Sequence, residues 1–423
     1  MGIGSVTWVS EIGDFGWCAI RIHLVMGIAW GLVAVKSEDR GNDFNDWNHP
    51  MIKPSIFSFF SGAGFLDLGF ETEGYDVCYV NEYHGPFLDA YKHSRTVMGI
   101  PAPRYGHDDT SIEHLNSDDL ASNVLAEMER GQLVGFIGGP PCPDFSIGGK
   151  NRGKDGENGK LSEVYINLVC EHKPDFFLFE NVKGLYRTKK HRDFFEKIKR
   201  KVKRAGYTLH ERLINSIEYG APQDRDRIIL IGFLDKSFAK KFAWTGQVYP
   251  DGKAFEFEWP TTDEFEANSV RTRKNTVPSE LCVQYWFDKN EVNTHPNARH
   301  CFQPRAGLQR FQTVAEGDDS KKSYKRLHRW RYSPTAAYGN NEVHLHPYLE
   351  RRITVAEALA IQSLPKEFEL PSTMTLSNMF KTVGNGVPYL AAVGLARSIS
   401  EHLRTNDASY SSEHRESNQS AAA

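Results

Sequence analysis

The chain has no C-x-x-C pair. Its six cysteines (Cys18, Cys78, Cys142, Cys170, Cys282 and Cys301) are scattered over 423 residues. That excludes a zinc knuckle and a disulfide scaffold, fits a reducing cytoplasm, and leads us to expect no metal. Nor is there a surplus of positive charge: 51 Lys and Arg face 54 Asp and Glu, for a net charge of −3. A globally basic nucleic-acid binder is thereby excluded, although a local basic face is not. Internal repeats are absent. The apolar stretch from Cys18 to Val35 contains Arg21 and His23 and has no basic residues leading into it. Neither a secretory signal nor a membrane span is therefore expected. Met51 directly precedes "IKPSIFSFFSGAG", where the first convincing folded element begins. Residues 1–50 are read as an appended or mis-started leader.

What is present is a rhythm. Short apolar runs, among them Ile56 to Phe60, Asp76 to Glu82, "LVGFIGGPPC", "PDFFLFEN" and Arg227 to Phe233, each stand beside a polar or Gly/Pro-rich stretch. Helical patterns such as "LSEVYINLVCEH" and "HRDFFEKIKRKVKRAG" lie between them. Strands alternating with helices predict an α/β fold with a doubly wound, mostly parallel sheet, and ligands in such sheets sit at the carboxyl ends of the strands. After about Leu234 the rhythm stops. Residues 235–350 are irregular, aromatic and locally basic, and are read as a smaller second domain. "TVAEALAIQ" resumes a helix with Thr354 and Glu357 in capping-box register. "VGNGVPYLAAVGLARSISEHL" reads as a turn and a helix returning to the first domain over 351–404. The tail from 405 to 423 is small and polar, and is expected to be disordered.

At the first strand end, Gly62 and Gly64 let a ligand approach the backbone closely. Asp67 stands where a dinucleotide-binding motif has its third glycine, which argues against a diphosphate cradle and against a nicotinamide oxidoreductase. Glu82 ends the next strand, where an acid grips ribose hydroxyls or is simply solvated. Phe60 and Tyr83 are placed to flank a flat ring. Asp108, with Asp109 as its competitor, is placed to accept from an amine. An adenosine cofactor without a diphosphate fits, and S-adenosylmethionine meets that description.

"GGPPCPDFS" holds Cys142 on a stiff turn. Its thiolate, added to C6 of a pyrimidine, would make C5 able to attack a methyl sulfonium. An acid near N3 would neutralise the ring. Glu180, at the end of "FLFENVKG", is the candidate, with burial raising its pKa and Asn181 fixing it or the cysteine loop. In "YGAPQDRDRIILIGF", Gln223, Arg225 and Arg227 alternate and so point to one side. Two guanidiniums there suit a carbonyl oxygen or a phosphate, or else pair with Asp224 and Asp226 at a solvated edge.

These segments, with "NEY", "RRITVAEALAIQSLP" and "GNGVP", occur in the order and spacing of the cytosine-C5 DNA methyltransferases, and the chain resembles that family over 56–234 and 351–403. The resemblance implies the S-adenosylmethionine-dependent methyltransferase fold with a target-recognition domain. It also implies roles: Cys142 as the C6 nucleophile, Glu180 as the proton donor to N3, and Arg227 at cytosine O2 with Arg225 beside it. Phe60, Gly62, Gly64, Glu82, Tyr83, Asp108, Leu161, Asn385 and Val387 match its cofactor-pocket positions. The sequence departs from the family at Pro143, where most members have Gln; contacts near the flipped base are therefore in doubt. Gly386 replaces a common serine and Ser61 a common alanine.

Double-stranded DNA is the expected partner, with the target base flipped out. The glycine-rich run Gly148 to Lys160 reads as a mobile lid, or as an ordinary surface loop. "KKSYKRLHRWR" interleaves aromatics with cations, a pattern of phosphate contacts or of a solvated face. The expected DNA-facing set is Ser146, Gln223, Lys321, Lys322, Lys325, Arg326, Arg329, Arg331 and Thr335. The leading expectation is a sequence-specific, cytoplasmic, monomeric modification enzyme of a restriction–modification system, with a cognate endonuclease as its counterpart. The alternatives are an RNA cytosine-C5 methyltransferase and a catalytically silent DNA-binding module, the latter opposed by Cys142, Glu180 and Arg227.

Overall fold

A computed structural model describes residues 54–141, 157–273, 276–304, 308–336, 338 and 343–403. The expectations for residues 1–50, for Cys142, Pro143 and Ser146, for most of the run from Gly148 to Lys160, and for the tail from 405 lie outside these residues.

Seven strands form one mixed sheet in the order β3-β2-β1-β4-β5-β7-β6. They are β1 (Ser55–Phe59), β2 (Asp76–Asn81), β3 (His107–Asp108), β4 (Val134–Gly138), β5 (Phe176–Val182), β6 (Thr208–Asn215) and β7 (Asp226–Phe233). Strands β1 to β5 are parallel, and β7 runs antiparallel to both β5 and β6. The expected α/β, mostly parallel architecture is present. Every residue of β1 and β4 is buried, and all of β7 but Asp226. That accounts for their reading as continuous apolar runs. β6 is an edge strand with mixed exposure, and its polar sequence "TLHERLIN" carries no such run. It went unread for that reason.

Helices α1 (Phe65–Thr72), α2 (Gly85–Val97), α3 (Ser117–Glu129), α4 (Glu157–His172) and α5 (Lys189–Arg204) connect the strands. α5 shows how its sequence chooses a face. Phe194, Phe195, Ile198 and Val202 are buried, and Thr188 caps the first turn by accepting from the His191 amide. The cations around them point outward. The helix Val355–Ile361 starts at the expected capping box, with Thr354 accepting from the Glu357 amide and the Glu357 carboxylate accepting from the Thr354 amide.

The chain returns as expected. Residues 389–403 are helical, and Ala391, Ala392, Leu395, Ala396 and Ile399 share one apolar cluster with Ile56, Phe70 and Val77 of the sheet layer. The fit is close: a Cβ on Gly69 of α1 would lie 2.5 Å from the Ala392 Cβ. Tyr75 Oη donates to the Ala396 carbonyl at 3.0 Å. Residues 235–350 contribute no strand to the sheet; among the described residues they hold short helical turns and isolated bridges. Val283, Trp286, Phe287, Leu327, Ala336 and Val343 pack in one cluster with Ile353, Leu359, Phe380 and Phe65. Among the described residues, no helix is long and apolar enough to cross a membrane.

Candidate active site

The carboxyl ends of β1, β2, β4 and β5 open onto one cleft of about 1680 Å³. Sites for a single small molecule run to roughly 300–1,000 Å³. The volume therefore suits a cofactor together with part of a second substrate.

One side of the cleft is chemical. Glu180, near the end of β5, is 6% exposed, and its Oε1 lies 2.7 Å from Arg227 Nε on β7. Burial pushes this carboxyl above its ordinary range, while Arg227 and then Arg225 pull it back. A carboxyl so placed keeps its proton to higher pH than a solvated one. Gly139 leaves it that position, because a Cβ there would lie 2.8 Å from Oε2. Asn181 donates from Nδ2 to the Pro140 carbonyl at 3.4 Å, joining the strand end to the loop that precedes Cys142. Pro140 and Pro141 line the cleft. Arg225 is 1% exposed and donates to the Ala336 and Gly384 carbonyls at 2.9 and 2.7 Å. It ties three distant segments into one wall of the cleft.

The other side is formed by the loop after β1 and the end of β2. Phe60 has φ 55°, a left-handed conformation that costs a non-glycine residue about 1 kcal/mol or more. Gly62 at φ 59° has nothing within 4 Å of a would-be Cβ. Glu82 accepts from the Gly62 amide through Oε2 and from the His84 amide through Oε1, both at 2.8 Å. A carboxylate accepts about four hydrogen bonds, so each oxygen keeps a lone pair for a hydroxyl donor. Tyr83 is 71% exposed. Tyr83, Leu161, Asn385 and Val387 all line the same cleft. Ser61 donates to the Asn81 carbonyl at 3.2 Å, pinning the loop to β2. Gly386 has no room for the family's serine, since a Cβ would meet the Phe65 ring at 2.1 Å. Asp108 adjoins Glu82, whose amide donates to its carbonyl at 3.1 Å, and its carboxylate accepts from Tyr79 Oη at 2.9 Å and from the Thr110 amide at 2.8 Å.

From sequence, Asp67 serves only as an argument against a diphosphate. In the fold it is 1% exposed beneath the loop, accepts from Ser58 Oγ at 2.9 Å, and its Oδ2 has no hydrogen-bond partner. Burial pushes its pKa up to about 7, against the pull of Arg95. The protonated form is the stable one, so its contribution is complete at low pH and is lost as pH rises through about 7. Asp67→Asn should therefore gain stability relative to the parent as pH rises from about 4 to about 7, with a constant difference above that, measured by urea unfolding. A difference that does not change with pH would mean the carboxyl stays ionised throughout.

The order of strand ends, acid, paired guanidinium and ribose-type carboxylate matches a known family. A model of the "C-5 cytosine-specific DNA methylase" matches residues 55–401. The chain belongs to that family. The methylase is 62% identical to "Type II methyltransferase M.NmeDI" of Neisseria meningitidis serogroup C, over 84% of this chain and 85% of the relative. It is 28% identical to "Type II methyltransferase M.FnuDI" of Fusobacterium nucleatum, over 82% and 94%. The solved structure of Entamoeba histolytica methyltransferase EhMeth shares the fold, with a TM-score of 0.54 and 12% identity over 83% of this chain and 99% of that one.

The basic run of the methylase divides in two. Lys322 and Lys325 line the cleft, as does Thr335, whose hydroxyl donates to the Asp224 carbonyl at 2.7 Å. Lys321 is exposed outside it, and Arg331 is half-buried, 3.4 Å from Asp319. Arg326 and Arg329 are corrections: at 0% and 4% exposed, they are buried rather than presented at the surface. Arg326 donates to the carbonyls of Phe311, Val314, His346 and Leu349. Arg329 is locked in a two-pronged ion pair with Glu316. An irregular domain leaves many carbonyls without ladder partners, and buried guanidiniums satisfy them. Gln223 is a third correction. It is fully buried, and its Oε1 accepts from the Ala336 amide at 3.3 Å. Sequence reading missed Lys183, Arg187 and Lys381, which also line the cleft. Lys183 and Arg187 were visible as the cations directly after the strand-end acid in "ENVKGLYR".

Proposed function

We propose that the protein is the modification enzyme of a type II restriction–modification pair, transferring a methyl group to C5 of one cytosine in a fixed short duplex sequence. The reading rests chiefly on the Glu180–Arg227 pair, sunk in a cleft that also carries the Phe60–Glu82 loop. Both relatives named above carry "Type II methyltransferase" in their names. We propose a division into a catalytic part, 51–234 with 351–404, and a recognition part, 235–350, acting as a monomer in the cytoplasm.

S-adenosylmethionine would supply the methyl group. Glu82 offers two lone-pair positions to ribose hydroxyls, Phe60 and Tyr83 border the ring, and Gly62 gives backbone access. Leu161, Asn385 and Val387 complete the enclosure. Gly64 acts indirectly, through its carbonyl, which accepts from Arg95 Nη2 at 2.8 Å.

Pro141 lines the cleft, and Cys142 is the next residue in the sequence. Its thiolate adds to C6 of the cytosine as Glu180 gives its proton to N3 and Arg227 receives O2. The C5=C6 electron pair moves to C5, which takes the methyl. Loss of the C5 proton to water, return of the N3 proton to Glu180 and expulsion of the thiolate restore the ring, and the donor would depart as the neutral thioether. Arg225 holds the wall that carries this chemistry. Glu180 is too deep for a stacked base to reach, so the cytosine must leave the duplex. Lys322, Lys325 and Thr335 stand where the flanking strand would pass.

Incubating the protein with labelled S-adenosylmethionine and plasmid, then bisulfite-sequencing the product, tests this. Methylcytosine is expected at one position of one short motif, and the plasmid should become resistant to an endonuclease cutting that motif. Transfer to RNA but not to DNA would overturn the reading.

A further inference from the structure

Residues 183–204 hold eleven of the chain's 51 Lys and Arg but only two of its 54 Asp and Glu. The chain as a whole is net negative, so this excess is strongly local. Its first members belong to the cleft, which Lys183 and Arg187 line. α5 begins two residues after Arg187, and Arg192 Nη1 donates to the carbonyl of cleft-lining Tyr186 at 2.7 Å. From there the helix runs to Arg204, 16 residues or about 24 Å. It leaves the carboxyl end of β5 and leads into β6, which runs in the same direction as β5. α5 therefore carries the positive charge from the cleft down the flank of the sheet.

Part of this charge is neutralised: Lys183 pairs with Asp226, Lys189 with Asp193, Lys197 with Glu163 and Lys199 with Glu211. Arg200, Lys203 and Arg204 are exposed and make no salt bridge to a described residue. Cations at a helix end complement its dipole, but that effect is confined to the last turn, and Arg200 stands before it. Like charges four residues apart work against a helix, and α5 repeats them at Lys197 and Lys201, Lys199 and Lys203, and Arg200 and Arg204. Charges of both signs interspersed would keep the face soluble without that cost. Duplex DNA is the complementary partner. It presents one charge per about 1.7 Å of its axis, about fourteen over the length of α5. Long, flexible cationic side chains suit phosphates, and phosphate contacts carry no sequence information.

We propose that the outer face of α5 is a second duplex-binding surface, outside the catalytic cleft, which grips noncognate DNA by its phosphates and holds the enzyme on DNA between target sites. The choice of partner rests on the DNA-methylating function proposed above. The test titrates the full-length protein into a labelled duplex lacking the methylated motif, by fluorescence anisotropy over a series of salt concentrations. The key variant combines Arg200→Gln, Lys203→Gln and Arg204→Gln. Its charge-keeping counterpart combines Arg200→Lys, Lys203→Arg and Arg204→Lys. The control combines Lys92→Gln and Lys366→Gln; Lys92 is exposed on α2, whose Leu88 and Tyr91 pack on the sheet face opposite α5. Each phosphate contact contributes about 0.9 to the salt slope, so the glutamine triple should lower that slope by about 2–3 and weaken binding roughly tenfold. The charge-keeping triple and the control should match the wild type. A glutamine triple with the wild-type slope and affinity would overturn the inference. So would one that keeps duplex binding but loses binding to polyglutamate, which would assign the face to an acidic protein. A wild type that methylates DNA alongside an unaltered glutamine triple overturns this inference alone. A wild type that neither methylates nor binds any duplex overturns the functional reading as well.

Discussion

Cys142→Ser will abolish methyl transfer, by roughly 10⁴-fold or more, while leaving S-adenosylmethionine binding intact. Charge and position both require it. The attacking group must carry a lone pair of thiolate quality, and a serine hydroxyl stays un-ionised near neutral pH. The residues around the cofactor end, Phe60, Gly62 and Glu82, come from different segments and do not depend on the thiol. Single-turnover transfer of labelled methyl and equilibrium dialysis with the cofactor separate the two effects. A serine variant that still turns over would refute covalent addition to C6.

Glu180→Gln is expected to lower kcat by about 10²–10⁴-fold, the span for loss of a general acid. The amide keeps the size of the side chain and can still donate a hydrogen bond towards N3, yet it has no proton to transfer. The two variants should differ in their pH dependence. In the parent, transfer slows as pH rises and the Glu180 carboxyl ionises, which burial places above the ordinary glutamate range. The glutamine variant has no such limb, so its residual rate should be flat across that window. The 2.7 Å contact with Arg227 also makes a distinct claim. That guanidinium lowers the pKa of Glu180, so removing it should extend the falling limb to higher pH. A pH–rate profile of Glu180→Gln that matched the parent's would assign the titration to another group.

The strand-end signatures were readable because each is local: a buried parallel strand must be apolar throughout, and the chain must turn where the strand stops. Glu180 and Glu82 stand at two such strand ends, and both line the cleft. Direction was less readable. Nothing in "RIILIGF" says that β7 runs antiparallel; the cue is the short Ser216–Arg225 link from β6, an edge strand too polar to be noticed. The basic run misled for a different reason. Lys325 and Arg326 are neighbours with the same charge, but one reaches the cleft and the other is closed in by four carbonyls. Composition cannot divide them, because what divides them is which carbonyls the irregular chain leaves unbonded in space.

The helix over 389–403 has a bearing on how the molecule comes into being. Tyr75 and Ala396 stand 321 residues apart, and α1 has its packing partner only when Ala392 arrives against Gly69. At about 5–20 residues per second of synthesis, the loop that would hold the cofactor waits roughly 20 s to a minute for the segment that closes behind it. In the last stretch of that interval, after residue 350, the proposed recognition segment has emerged while the helix that closes behind α1 is still to come. A chain halted before residue 389 would thus carry the cleft-lining Lys322 and Lys325 without the helix that packs against Gly69. On the proposed function, methylating ability then arrives late and all at once, with the helix over 389–403.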